Sequence, residues 1–173
     1  GFVGAYALDL KTKHWEIAMN TAKQQVFNAV AAEPKKDGYL FACGQVDDGK
    51  NQVPVVARMA QKDGKIEASW TAKTTTNGEL TDAFYDGAAG EVFFGGRQGE
   101  SGGIESGLLA RLDKGLSLKW MALYDNAGPT HFWGVGADEK SVFGVGRDGS
   151  GSGMKGAIFR VSKEHGGPYC GDK

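Results

Sequence analysis

The sequence predicts an all-β fold built from repeats of about 50 residues, and two recurring markers support that prediction. A glycine that ends an apolar run recurs at intervals of 52 and 50 residues, at Gly44, Gly96 and Gly146. An arginine inside a second apolar run recurs at intervals of 53 and 49 residues, as Arg58, Arg111 and Arg160. Because two independent markers give one period, each period is expected to be one structural unit.

Each repeat offers up to four short apolar segments bounded by glycine, aspartate and other turn residues, which indicates strands. The first segment type covers residues 25–31, 81–87 and 131–138. The second type, with the recurring glycine, covers residues 39–45, 91–98 and 141–149. The third type carries the recurring arginine, and the fourth ends at Trp15, Trp70 or Trp120. The chain opens with one segment of each of the last two types, so about thirteen strands are expected.

One segment also has some helical character. In "NTAKQQVFNAVAAE", residues 20–33, either Asn20 or Thr21 is a possible N-cap for an apolar helical face. The corresponding segments of the later repeats contain Phe84 and Trp133, which favour a strand. We therefore predict a strand here as well.

A fixed period near 50 residues with four strands per unit is typical of a β-propeller blade. Closed propellers have roughly four to eight blades, whereas this chain accounts for about three blades and a partial one. We expect residues 1–173 to be one propeller segment, with partial units at both ends, of a larger propeller. Two alternatives are a ring assembled from several copies of the chain and an open stack of blades.

The opening stretch "YALDLKTKHW", residues 6–15, resembles the tryptophan docking motif of quinoprotein-type propeller repeats. Ala7, Asp9, Thr12 and Trp15 match the order of that motif, while Lys13 stands where a glycine is usual. In that family the tryptophan packs between neighbouring blades. The resemblance therefore implies a structural role for the recurring tryptophans, which are Trp15, Trp70 and Trp120.

A second resemblance lies in the middle of the chain. Residues 82–113, with "AGEVFFGGRQ" followed by "GLLARLDKG", are similar to bacterial β-propeller repeats. A weaker resemblance, through Gly95 and Gly96, is to kelch repeats. These motifs are structural, so they imply a fold and leave the chemistry open.

Charge and hydropathy exclude several function classes. The formal net charge is −1, with acidic and basic residues interspersed along the chain. Such a chain is not drawn to a phosphate backbone, so nucleic acid is not an expected partner. No stretch approaches the roughly 20 apolar residues of a membrane helix, so no membrane span is expected.

The two cysteines do not make a disulfide framework. Cys43 lies in a predicted buried strand, where a free thiol behaves as a small apolar residue. Cys170 lies in the polar stretch "PYCGDK" and could pair with a partner outside this segment.

The sequence predicts neither metal ligands nor catalytic residues. His14, His131 and His165 are isolated, without the spacing of a zinc site. The acidic loops 46–52 and 146–153 lack the residue order of a calcium loop. The recurring arginines lie in apolar strands, so they are expected to reach solvent or to pair between blades. The alternative is that they form a ring of anion-binding cations.

Four side chains are candidates for a binding surface, namely His131, Trp133, Tyr85 and Tyr124. His131 follows "NAGPT", where a repeat begins, a position that in many propellers faces the binding end. The aromatic rings could stack on sugars, or they could simply pack within the blades. The solvent exposure of Trp133 distinguishes these alternatives.

These observations together favour a non-catalytic interaction or scaffold module, outside the cell or at its surface. Its expected partners are other protein chains or the remaining blades of the same chain, with a glycan as a further candidate. No cofactor is predicted. The alternative is part of a quinoprotein-like enzyme, in which pyrroloquinoline quinone and calcium would lie on the propeller axis.

Overall fold

A computed structural model describes residues 2–6, 13–18, 24–99, 105–125, 128–149 and 153–168. Across these residues the chain forms thirteen β-strands and no α-helix, so the predicted all-β class and strand number are confirmed. The segment with helical character forms strand β3, Gln25–Ala32, as predicted. Cys170 and the motif residues Ala7, Asp9 and Thr12 lie outside the described residues.

The described strands form four antiparallel sheets, each with its strands in chain order. The first sheet pairs β1 (Phe2–Tyr6) with β2 (Lys13–Ala18). The second contains β3 (Gln25–Ala32), β4 (Tyr39–Asp47), β5 (Gln52–Ala60) and β6 (Ile66–Thr71). The third contains β7 (Gly78–Asp86), β8 (Glu91–Gln98), β9 (Ser106–Asp113) and β10 (Leu118–Tyr124). The fourth contains β11 (Thr130–Ala137), β12 (Ser141–Asp148) and β13 (Lys155–Ser162).

The first strand of the second, third and fourth sheets contains a β-bulge at the same place in the repeat. The register shifts lie between Phe27 and Ala29, between Leu80 and Asp82, and between Phe132 and Gly134. The extra residue is therefore Asn28, Thr81 or Trp133. A bulge re-aims the side chain that it carries, which makes these three residues a structurally equivalent set.

Each bulge explains the recurring glycine on the neighbouring strand. A Cβ on Gly96 would lie only 2.0 Å from the carbonyl oxygen of Glu79. The corresponding distances are 1.9 Å from Gly44 to the Val26 oxygen and 1.8 Å from Gly146 to the His131 oxygen. Because a side chain here would collide with main-chain atoms, the strand pairing requires glycine.

The sheets pack face to face in chain order, with an apolar cluster in each gap. Phe41 and Val56 of the second sheet pack with Leu80 and Phe94 of the third. Phe93 and Leu109, on the other face of the third sheet, pack with Phe132 and Val142 of the fourth sheet. The packed residues are aliphatic or aromatic and have no exposed surface. Each buried side chain of this size contributes about 1.5 to 3 kcal/mol.

We call the face that a sheet turns toward the next sheet in the chain its forward face, and we use the same name for the equivalent face of the fourth sheet. Alternation along the strands places equivalent residues on each forward face. The residue three positions before the recurring glycine is Phe41, Phe93 or Phe143. The residue two positions before the recurring arginine is Val56, Leu109 or Ile158.

Candidate functional site

Two of the recurring tryptophans connect their sheet to the hairpin turn of the next sheet. Trp15 Nε1 donates to the carbonyl oxygen of Gln61 at 2.8 Å, and Trp120 Nε1 donates to that of Lys163 at 2.9 Å. Their rings lie against Gly64 and Gly166, where a Cβ would come within 2.5 and 2.7 Å of ring carbons. Both glycines have positive φ. For the indole to pack against the turn, the turn residue must therefore lack a side chain and adopt the left-handed backbone conformation.

The third recurring tryptophan, Trp70, packs in the apolar cluster between the second and third sheets. The hairpin turn of the third sheet differs from the other two, because Leu116 takes the positive φ, at 66°. Leu116 is buried and belongs to the same apolar cluster as Trp70. Here an aliphatic side chain replaces the glycine.

Two of the recurring arginines also reach the turn of the next sheet. Arg58 Nη1 donates to the carbonyl oxygen of Lys114 at 2.9 Å, and Arg111 Nη1 donates to that of Lys163 at 2.5 Å. Arg111 is fixed by two further hydrogen bonds to the Glu91 carboxylate, at 2.9 and 2.6 Å. Arg160, in the fourth sheet, donates from Nε to Ser141 Oγ at 2.9 Å. In the second and third sheets the arginine thus makes inter-sheet contacts.

Two of the four candidate binding residues lie in packed interfaces between sheets. Tyr85 stacks on Phe41 with ring centroids 5.7 Å apart, and burial raises its pKa. The Tyr124 hydroxyl donates to the Gly166 carbonyl oxygen, and burial raises the pKa of Tyr124 to about 12. The two tyrosines belong to different apolar clusters. The structure therefore does not bring them together in one site.

The other two candidates, His131 and Trp133, lie together on β11 with ring centroids 5.4 Å apart. Trp133 is the bulge residue and is 54% exposed, whereas His131 is only 9% exposed. The bulge residues of the second and third sheets each donate a hydrogen bond to the sheet that follows in the chain. Asn28 Nδ2 donates to the carbonyl oxygen of Leu80 at 2.8 Å, and Thr81 Oγ1 donates to that of Phe132 at 2.5 Å.

His131 lies within a network of charged side chains. Arg97 Nε lies 2.8 Å from Glu79, Arg97 Nη1 also donates to Glu105, and Arg147 Nη2 lies 3.6 Å from Glu105. Burial lowers the pKa of His131, and Arg97 and Arg147 act in the same direction, while Glu79 and Glu105 oppose them. Its Nε2 is buried, and the described residues offer that atom no hydrogen-bond partner. The geometry thus favours a neutral imidazole.

Exposed apolar side chains continue the surface from Trp133 across the forward face of the fourth sheet. Ile158 is 73% exposed and Val145 is 47% exposed, and the two residues are paired across β12 and β13. Phe143 is partly exposed. No described sheet covers this face. We define the fourth-sheet face as Trp133, Phe143, Val145 and Ile158.

Three residues of the fourth-sheet face were not candidates from the sequence. Aligning the repeats on their glycines and arginines would have placed Phe143 with Phe93, and Ile158 with Leu109. That alignment identifies positions on the forward face, but it does not show whether a further sheet covers them. Among the candidates from the sequence, only Trp133 lies on the exposed part of this face.

A polar cleft of about 490 Å³ lies between the second and third sheets. Its lining includes Asn51, Asn77, Glu79 and Arg97. These groups bond to each other and to the backbone; Asn77 Oδ1, for example, accepts from the backbone N–H of Gln52 at 2.9 Å. The polar groups that line the cleft are therefore largely paired with one another and with the backbone.

The remaining sequence candidates have local partners. In the acidic loop 46–52, Asp48 Oδ1 accepts the backbone N–H groups of Lys50 and Asn51, both at 2.8 Å. Cys43 is buried and free, and burial raises the pKa of its thiol. No group of three or more potential metal ligands occurs among the described residues. In the described part of the chain, no helix has the length and apolar character needed to cross a membrane.

No protein-family model matches this sequence, and no curated protein matches it at a significant level.

Proposed function

We propose that the chain is a segment of a β-propeller that acts as a non-catalytic interaction and scaffold module, outside the cell or at its surface. The stacked antiparallel sheets, with tryptophan and arginine contacts to the next turn, support the propeller part of the proposal. The fourth-sheet face supports the interaction part. The location rests on the sequence pattern alone.

The observation that carries the proposal is the apolar, exposed character of the fourth-sheet face. Ile158, Val145 and Trp133 are each about half exposed or more. Ile158 and Val145 are paired across β12 and β13, and Trp133 precedes Gly134, which pairs with Val145. Contiguous exposed apolar side chains on a soluble protein mark contact surfaces. Tryptophan is also enriched among the residues that dominate protein interfaces. The same positions in the second and third sheets are used for sheet contacts.

A specific observation also favours glycan binding. An exposed indole such as that of Trp133 can stack on a sugar ring. Tyr85 and Tyr124 are partly buried in the apolar clusters between sheets and do not contribute to that surface. The glycan site would therefore be confined to Trp133 and its polar neighbours, whereas a protein contact would extend to Ile158.

The quinoprotein-like enzyme is supported only by the sequence motif of residues 6–15. Within that motif the structure describes Trp15, whose indole is bound to the neighbouring hairpin. This contact is equally suited to a purely structural repeat.

Hydroxyl-radical footprinting tests the proposal. The isolated chain should be oxidised at Trp133 and Ile158, and both residues should be protected when the chain is in its native assembly. Leu118, which is exposed on β10 and lies off this face, is the control and should be oxidised equally in both samples. Protection of Trp133 alone would favour a glycan. Equal oxidation of Trp133 and Ile158 in the two samples would contradict the proposal.

A further inference from the structure

We infer that Arg147 and His131 bind a small carboxylate anion at the end of the fourth sheet where β11 begins and β12 ends. Such a site would exist whether or not the fourth-sheet face has a partner, so it goes beyond the proposed function. It rests on a difference between the third and fourth sheets at one position of the repeat. The residue directly after the recurring glycine is Gln45, Arg97 or Arg147.

In the third sheet this position is an arginine that is held by two carboxylates. Arg97 Nε donates at 2.8 Å to Glu79, its cross-strand partner on β7. Arg97 Nη1 donates to Glu105, which lies two residues before Gly107, the cross-strand partner of Arg97 on β9. The fourth sheet packs against the third, yet both carboxylates belong to the third sheet or to the loop that precedes β9. The arginine is therefore paired from within its own repeat.

The fourth sheet keeps the arginine and lacks both carboxylates. The cross-strand partner of Arg147 on β11 is His131, where the third sheet has Glu79. Two residues before Gly156, the cross-strand partner of Arg147 on β13, lies Met154. Its Sδ is 3.7 Å from Arg147 Nη1, and a thioether sulfur is only a weak acceptor. Two neutral side chains thus stand where the third sheet has two anions.

Two buried polar atoms consequently lack partners. Neither Arg147 Nε nor His131 Nε2 has a hydrogen-bond partner among the described residues, and His131 is only 9% exposed. The Glu105 carboxylate lies 3.6 Å from Arg147 Nη2, but it already accepts a hydrogen bond from Arg97. A buried donor without an acceptor costs free energy that a bound acceptor would recover.

Arg111 shows how a carboxylate can fit the unpaired edge of Arg147. The two oxygens of Glu91 accept hydrogen bonds from Arg111 Nε at 2.9 Å and from Nη2 at 2.6 Å, which is a bidentate pair. The same arrangement on Arg147 would give its Nε an acceptor. A protonated His131 Nε2, on the neighbouring strand, could donate to the same anion. Met154 is 48% exposed and flexible, so it can move aside and admit a small ligand.

The surrounding charges favour a carboxylate that binds together with one proton. The charged side chains that act on the His131 imidazole are Arg97, Arg147, Glu79 and Glu105. Their formal charges cancel, so a monoanion is balanced when His131 takes up a proton. In the free chain, burial lowers the pKa of His131, whereas a bound anion beside the ring would raise that pKa. By linkage, the carboxylate should bind more tightly as the pH falls.

NMR titration of the full chain with sodium formate tests the inference. Formate is small and, as an ordinary carboxylate, is still largely ionised at about pH 5. Compared with sodium chloride at the same ionic strength, formate should raise the pKa of His131. Its dissociation constant should decrease from about pH 7 to about pH 5. The exposed His14 is the internal control, and its pKa should respond equally to the two salts.

Three variants test the residues of the site. Arg147→Gln should weaken formate binding at least about tenfold, because it removes charge-assisted hydrogen bonds. Met154→Glu supplies the carboxylate that the third sheet has at Glu105, so it should also weaken formate binding at least about tenfold. Met154→Gln has the same length without the charge and is the matched control, which should bind formate as the wild type does. Because Met154 is half exposed, both of its variants should fold.

Three results would overturn the inference. The first is a His131 pKa that responds to formate no differently from chloride. The second is an equal affinity for formate in Met154→Glu and Met154→Gln, and the third is undiminished binding in Arg147→Gln, which would place the anion elsewhere. None of these results bears on the protection of Trp133 and Ile158, so the proposed function is tested separately.

Discussion

The forward faces of the third and fourth sheets place equivalent residues in opposite environments. In the third sheet, Phe93 and Leu109 are completely buried. In the fourth sheet, the corresponding Phe143 is partly exposed and Ile158 is 73% exposed. The side chains at the two faces are similar in size and polarity. Their exposure is therefore set by whether another sheet lies against the face, and their apolar character alone does not reveal it.

Paired lysine substitutions give the largest expected contrast between the two faces. Leu109→Lys places a charge in the cluster between the third and fourth sheets and should lower the free energy of unfolding by about 4 kcal/mol or more. Ile158→Lys should change it by less than about 0.5 kcal/mol, because the new side chain remains in water. Urea unfolding of the dilute, monomeric chain measures both values. Similar losses would mean that Ile158 is buried in solution.

Features that lie within a sheet should instead behave alike in the two sheets. Gly96→Ala and Gly146→Ala each direct a methyl group into a carbonyl oxygen of the adjacent strand, at 2.0 and 1.8 Å. Each should cost about 2 to 4 kcal/mol, because the bulge must shift to make room.

Gly136→Ala is the matched control for the two glycine substitutions. No atom lies within 4 Å of the position of the added Cβ, so the change in the free energy of unfolding should be within about 0.5 kcal/mol. Thermal or urea unfolding compares the three variants. A tolerated Gly96→Ala would contradict the explanation of the recurring glycine.

The sequence predicted those parts of the fold that depend on local geometry. The recurring glycine marks the strand that pairs with a bulged strand, and its spacing therefore gave the period and the strand count. Comparison with Trp133 and Phe84 also resolved residues 25–32 as a strand. The predicted strands are confirmed because the same steric requirement recurs within each of the last three sheets.

The candidate site was less accessible to sequence reasoning, because exposure depends on contacts between sheets. Tyr85 and Tyr124 appeared as suitable as Trp133, yet both pack, partly buried, against apolar clusters between sheets. Ile158 was missed because it resembles a core residue in every local respect. A periodic sequence shows which positions face a neighbour, while the three-dimensional arrangement shows whether that neighbour is among the described sheets.

The smallest expected effect concerns one position that differs chemically between the third and fourth sheets. Two residues before the bulge, the third sheet has Glu79 and the fourth has His131. The Glu79 carboxylate lies 2.8 Å from the Arg97 guanidinium. The His131 imidazole is buried near Arg97 and Arg147, which disfavour its protonation, and its pKa is lowered. The same position thus holds an ion pair in one sheet and a neutral ring in the other.

A lowered folded-state pKa means that the unfolded chain binds the His131 proton more readily than the folded chain does. Stability should therefore be complete above the ordinary histidine pKa of 6.5 and should decline as the pH falls below it. His131→Gln should make the decline between pH 7 and pH 5 shallower, an effect smaller than that of the glycine substitutions. Urea unfolding at several pH values measures it. His14→Gln, at an exposed position, is the control and should retain the wild-type slope. If His131→Gln also retained that slope, His131 would not be the neutral, buried imidazole that distinguishes the fourth sheet from the third.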